Sequence, residues 1–127
     1  MLLVAVAVGG ALGALARLGL AGWVQGWAGP SFPWGTLAVN AAGSLLLGLA
    51  LRLLEGIAAP PEARAFVTVG FLGAFTTFST FSYEAVALCL SGEWVRAAAY
   101  AFGSLFAGAV GVVAGFALAM VIVRQGG

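Results

Sequence analysis

Apolar residues run almost without interruption along this chain, and polar ones punctuate that run rather than alternating with it. Four stretches reach the ~20 apolar residues that a transmembrane helix requires: 2–24, 35–53, 63–90 and 94–123. In the first, Gly9-x-x-x-Gly13 leaves two bare patches on one face, where another helix can come close. Arg17 interrupts the same stretch, either as an interfacial side chain that snorkels or as a structural or pore-mouth charge. Between 26 and 34, glycines and prolines predict a turn without any charge. Trp23, Trp27 and Trp34 suit the headgroup level around it.

The second stretch starts at Gly35, with Thr36 as a candidate cap, and carries Asn40, Ser44 and Gly48 at intervals of four on one face. An amide inside a membrane must be hydrogen-bonded, so Asn40 reads either as interhelical glue or as a donor turned toward a passing ion. Arg52, Glu55, Pro60, Pro61, Glu62 and Arg64 then form a charged loop, read as a solvated connector. After the turn at 91–94, the fourth stretch spaces Gly103, Ala107, Gly111 and Gly115 as a small-residue contact stripe. Ser104 is its central hydroxyl, and the tail from Arg124 through Gly127 is expected to fray.

The third stretch breaks the pattern. Between Gly70 and Glu84 five hydroxyls (Thr76, Thr77, Ser79, Thr80 and Ser82) are interleaved with aromatic rings, in sequence otherwise fit for hydrocarbon. Such a cluster needs partners in protein, water or an ion. Glycine and threonine also weaken a helix here, which predicts an unwound section at 73–76 between half-helices 63–72 and 77–90. Phe78 and Phe81, at i and i+3, share a face of the second half, with Thr76, Thr80 and Glu84 in a neighbouring row. Aromatic pairs at this spacing often do no more than pack. A broken, hydroxyl-rich helix at mid-membrane is nonetheless a place where something small binds or passes.

Composition sharpens the class. Of 127 residues 63% are hydrophobic and 7% charged, with a mean hydropathy of +1.14. A soluble domain carries roughly 25% charged residues, so this is an integral membrane protein. With no His, Asp or Lys and a lone Cys89, disulfides, zinc sites, Cys/His catalysis and a Ser–Lys dyad are excluded within one subunit. It is not read as an enzyme, and a net charge of +1 gives no basic patch for nucleic acid. Ala14-Leu15-Ala16 resembles a cleavage site, but no basic region precedes it, and the segment is read as a retained helix. Four small helices scarcely enclose an aqueous route alone, so an oligomer is expected. Arg52, Arg64 and Arg124 fall on one side, Arg96 and Arg17 on the other. That bias is too weak to fix orientation, so copies inserted both ways can pair antiparallel. Amide and hydroxyl donors with positive ring edges favour an anion, while unwound carbonyls offer acceptors to a cation. Residue chemistry alone reaches a selective ion passage with the ion open.

The residues that carry these features resemble the Fluc (CrcB) fluoride channels. The likeness rests on Gly9-Gly10-x-x-Gly13-Ala14-x-x-Arg17, on Gly35-Thr36-Leu37-x-Val39-Asn40-x-x-Gly43-Ser44, and on the block from Gly70 to Glu84 with its Thr-Thr-Phe-Ser-Thr-Phe-Ser core. The resemblance implies an all-α, multi-pass protein of the inner (plasma) membrane, an antiparallel dual-topology homodimer of four-helix subunits with the third helix broken. It implies two passive fluoride pores that relieve fluoride toxicity. Backbone carbonyls of Gly73 and Thr76 would hold a structural sodium ion at the dimer centre. Phe78 and Phe81 would meet fluoride edge-on, with Asn40 orienting the rings or donating to the ion. Thr77, Ser79, Thr80 and Ser82 would lie along the polar side, Ser104 would contribute from the fourth helix, and Arg17 would stand at the vestibule. Glu84 has no assigned role. Two departures stand out: Ala74 where the family often has a second glycine, and Gly108 where a second serine would continue the polar track. The rivals are a small multidrug-type or proton-coupled transporter and a non-transporting scaffold subunit. The first would want a deep acid in the first helix, which has none.

Overall fold

The computed structural model describes residues 1–126, all helical apart from short turns. Four helical segments are long and apolar enough to cross a membrane: Leu2–Ala28, Trp34–Gly56, Pro61–Leu90 and Trp94–Gly126. Their outward faces expose Leu, Val, Phe and Trp side chains throughout, as a lipid-facing surface requires.

The first helix continues through Gly26 and Trp27 to Ala28, past the expected turn start, and Gly29 with φ +86° ends it. Gln25 explains the closure. Its Nε2 donates to the carbonyls of Gly29 and Phe32, and its Oε1 accepts from Gly35 N–H at 3.0 Å, so one amide ties the turn to the second helix. Thr36 is not a cap: the second helix begins at Trp34 with no side-chain cap, and the Thr36 hydroxyl is used elsewhere. At the other end Arg64 donates to the carbonyls of Ala59 and Leu54, so the charged loop is tied back rather than only solvated.

Small residues set the packing. Gly9 and Gly13 are buried against the backbone around Phe66 and Phe71 of the third span, the close approach their spacing predicts. A Cβ on Gly13 would overlap the Phe71 carbonyl. Gly13→Ala is therefore expected to destabilise the protein by about 1–3 kcal/mol. Gly22→Ala, with nothing within 4 Å of the added atom, should not. Thermal unfolding in detergent compares the two. The second and fourth helices cross where Gly48, Gly111 and Gly115 bring backbones together, with Ala119 continuing the buried face. The expected stripe is corrected at its start: Gly103 is exposed with nothing within 4 Å of its added Cβ. Steps of four residues drift by about 40° each on a helix of 3.6 residues per turn, which turns Gly103 off the contact face. Likewise the fourth helix holds Arg124 to Gly126 in its last turn, where fraying was expected; Gly127 lies outside the described residues.

The third span departs most from expectation. Pro61–Arg64 is α-helical, Ala65–Leu72 winds as a π-helix of eight residues, and Gly73–Phe75 returns to α. The unwound section shares only Thr76 with the expected 73–76, since residues 73–75 stay helical. The break falls at Thr76 and Thr77, both extended (φ −86°, ψ 158° and φ −148°, ψ 116°), after which Phe78–Leu90 resumes.

Candidate functional site

Asn40 makes the break. Its Oδ1 accepts from Thr77 N–H at 2.7 Å, and its Nδ2 donates to the Thr77 carbonyl at 3.0 Å. One side chain thus meets both polar groups of a buried extended residue, as a strand neighbour would. In an unbroken helix Thr77 N–H would bond to the Gly73 carbonyl. Thr80 N–H, which would serve Thr76, goes to Thr77 Oγ1 at 3.3 Å and caps the second half-helix. The carbonyls of Gly73 and Thr76 thereby lose their helical donors. Those are the two oxygens named for a cation; the break frees the Ala74 and Phe75 carbonyls in the same way, so this stretch offers acceptors that suit a cation without singling out two of them. Among the described residues no cluster of His, Cys, Asp or Glu offers an alternative.

A cleft of about 430 Å³ opens beside this break. It brings together Asn40, Gly73, Thr76, Thr77, Phe78, Phe81 and Ser104 of the nominated residues. The rings of Phe78 and Phe81 lie 5.8 Å apart and tilted by 43°, and Phe81 also packs on Tyr100 at 5.2 Å. Phe78 is 78% exposed, so one chain leaves the cleft unwalled on that side. Ser104 Oγ is buried with no hydrogen-bond partner among the described residues, an uncommon state for a hydroxyl.

Other nominated residues stand away from the cleft. Thr80 takes a hydrogen bond from the Thr77 hydroxyl at 3.0 Å, and Ser82 donates back to the Phe78 carbonyl at 2.9 Å. Both serve the half-helix itself. Ser79 is exposed, and Arg17, half-buried on the first helix, does not line the cleft.

Glu84 gains partners that no local pattern reveals. Thr36 donates to one carboxylate oxygen at 2.9 Å and Tyr100 to the other at 2.6 Å, joining the second, third and fourth spans. The expected row of Thr76, Thr80 and Glu84 does not form, because the break separates Thr76 from the helix that carries the other two. The sequence alone gives no role to Gln25 or Tyr100 and places Ser44 only on the Asn40 face. Tyr100, one turn before Ser104 in an apolar span, was the available signal for a polar strut, and Ser44 lies one turn beyond Asn40 on the face that lines the cleft.

A family model described as CrcB-like protein, Camphor Resistance (CrcB), matches residues 4–116. A Thermus thermophilus protein called fluoride-specific ion channel FluC is 59% identical over 114 residues, 89% of each chain. A protein of the same name from a second strain of Thermus thermophilus is 62% identical over 104 residues, covering 81% of this chain and 82% of that one. A third, from Hahella chejuensis, is 50% identical over 121 residues, covering 94% and 95%.

Proposed function

The chain belongs to the CrcB family, and from that premise we propose that it is a fluoride-selective ion channel that lets fluoride leave the cell passively. One observation carries the reading beyond the family name. The Asn40 clamp, the Phe78–Phe81 pair and the unpartnered Ser104 hydroxyl converge on one cleft at the helix break. A small anion sheds water only where close donors replace it, and amide, hydroxyl and ring edge supply them in a dry setting.

The working unit in this reading is an antiparallel homodimer in the inner (plasma) membrane, with copies inserted in both orientations. The open side of the cleft, where Leu105 lines the wall and Phe78 stands exposed, supports a second copy there. Carbonyls of Gly73 and Thr76 would hold a sodium ion at the dimer centre, which would supply a fixed positive charge beside oxygens freed by the break. Phe78 and Phe81 present their edges to fluoride, Asn40 holds the break open, and Thr77 and Ser104 line the polar side. Arg17 gathers anions from outside the cleft.

Efflux from proteoliposomes loaded with potassium fluoride, followed with a fluoride electrode, tests this. Release should be fast only after valinomycin carries potassium out, and chloride should be retained. Release without valinomycin would point to a proton-coupled carrier. No release from inserted protein would remove fluoride transport altogether.

A further inference from the structure

Asn40, Ser44, Ser104 and Gly108 face one another across the cleft, two from the second helix and two from the fourth. Each pair is spaced by one turn. Just beyond them the helices cross so closely that a Cβ on Gly111 would stand 3.1 Å from the Ala41 carbonyl oxygen. The walls are therefore held at fixed separation, and small changes in side-chain size there decide what fits.

Gly108 is the revealing position. A Cβ built on it meets a single atom within 4 Å, the Ser44 hydroxyl oxygen, at 3.4 Å. The missing side chain is thus the space into which Ser44 Oγ opens. One turn away, Ser104 Oγ is buried without a partner. A buried hydroxyl left unpaired is costly unless something transient supplies the partner.

We infer that Ser44 is an anion-donating residue of the pathway, and that its hydroxyl works with Ser104 across the volume left open by Gly108. Hydroxyl donors suit a small, hard anion, because a hydrogen bond to an ionised acceptor is shorter and roughly twice as strong as one between neutral groups. The inference rests on the fluoride reading above and names a residue that reading leaves out.

The test compares fluoride efflux for wild type, Ser44→Ala and the double variant Ser44→Ala/Gly108→Ser. Because a Cβ at 108 touches only the Ser44 hydroxyl oxygen, which the first change removes, the double variant has room for the added Cβ, and its hydroxyl starts from the side that faces the vacated position. Losing one charge-assisted hydrogen bond should slow Ser44→Ala roughly tenfold or more. The double variant should recover most of the wild-type rate, because the donor returns from the facing helix. Thermal midpoint and gel-filtration volume should be the same for all three, which separates lost donation from lost packing. Wild-type efflux with Ser44→Ala equally fast, or a slow single variant that the second change does not rescue, would overturn this inference alone. No fluoride release by wild type would instead bring down the channel reading on which it stands.

Discussion

Asn40→Asp is expected to stop fluoride release, by roughly a thousandfold, in a protein that still folds. Aspartate has nearly the shape of asparagine and keeps one of its two bonds, since a carboxylate oxygen can still accept from Thr77 N–H, now 2.7 Å from Asn40 Oδ1. The other bond reverses in sign. Nδ2 donates to the Thr77 carbonyl at 3.0 Å, and a carboxylate oxygen there would face another acceptor with no hydrogen between them. The larger effect is on the ion. A negative charge at the cleft repels an anion about 4 Å away by about 4 kcal/mol at an effective dielectric constant near 20, close to three decades in rate. Asn40→Ala separates the two roles. It removes both bonds and leaves the buried N–H and carbonyl of Thr77 unmet, at about 1–3 kcal/mol each. Its thermal midpoint should therefore fall, while only the aspartate adds repulsion. Wild-type efflux through Asn40→Asp would show that the amide is interhelical glue and lies off the path.

How the break is made also shows where sequence reading stops. Length and hydropathy suffice for four spans, because lipid imposes them on each segment separately. Gly9 and Gly13 are legible for a similar reason: a bare patch repeated every turn has one main use inside a bundle. The place of the break is another matter. Flexibility at Gly73 suggested unwinding there, yet residues 73–75 remain helical. What ends the helix is competition from Asn40, 37 residues away in sequence, for the N–H of Thr77. No local propensity encodes that. The π-winding of Ala65–Leu72 is hidden in the same way, since its residues are as apolar as an α-helix would need. Glu84 stayed without a role because its two donors, Thr36 and Tyr100, arrive from other helices. Asn40 could be picked from chemistry that is out of place in hydrocarbon, whereas Phe78 and Phe81, apolar themselves, stand out only through the family resemblance. Ser44 shares the Asn40 face in the sequence, but its role is not legible there, because it depends on what Gly108 lacks across the gap.

Phe81→Ile should cut fluoride release about a hundredfold with little loss of fold. Isoleucine is as apolar as phenylalanine and, being smaller, enters the site without overpacking. It lacks the ring quadrupole, whose positive edge is the only attraction a hydrocarbon side chain can offer an anion. Phe81 is held between two rings, Phe78 at 5.8 Å and Tyr100 at 5.2 Å, so its orientation is fixed by its neighbours. Fixed orientation matters here because a ring turned face-on repels the ion that its edge attracts. If an edge contact in this dry setting is worth about as much as a hydrogen bond to a charged group, up to about 3 kcal/mol, its loss accounts for roughly two decades. Phe78→Ile should act on the rate in the same direction but disturb the single chain less, since Phe78 is 78% exposed there. A pair that only packs would give the opposite pattern: a lower thermal midpoint for Phe81→Ile, none for Phe78→Ile, and efflux within about twofold of wild type for both. Measured together on reconstituted protein, the two rates and two midpoints separate a ring that touches the ion from one that merely fills the space beside Tyr100.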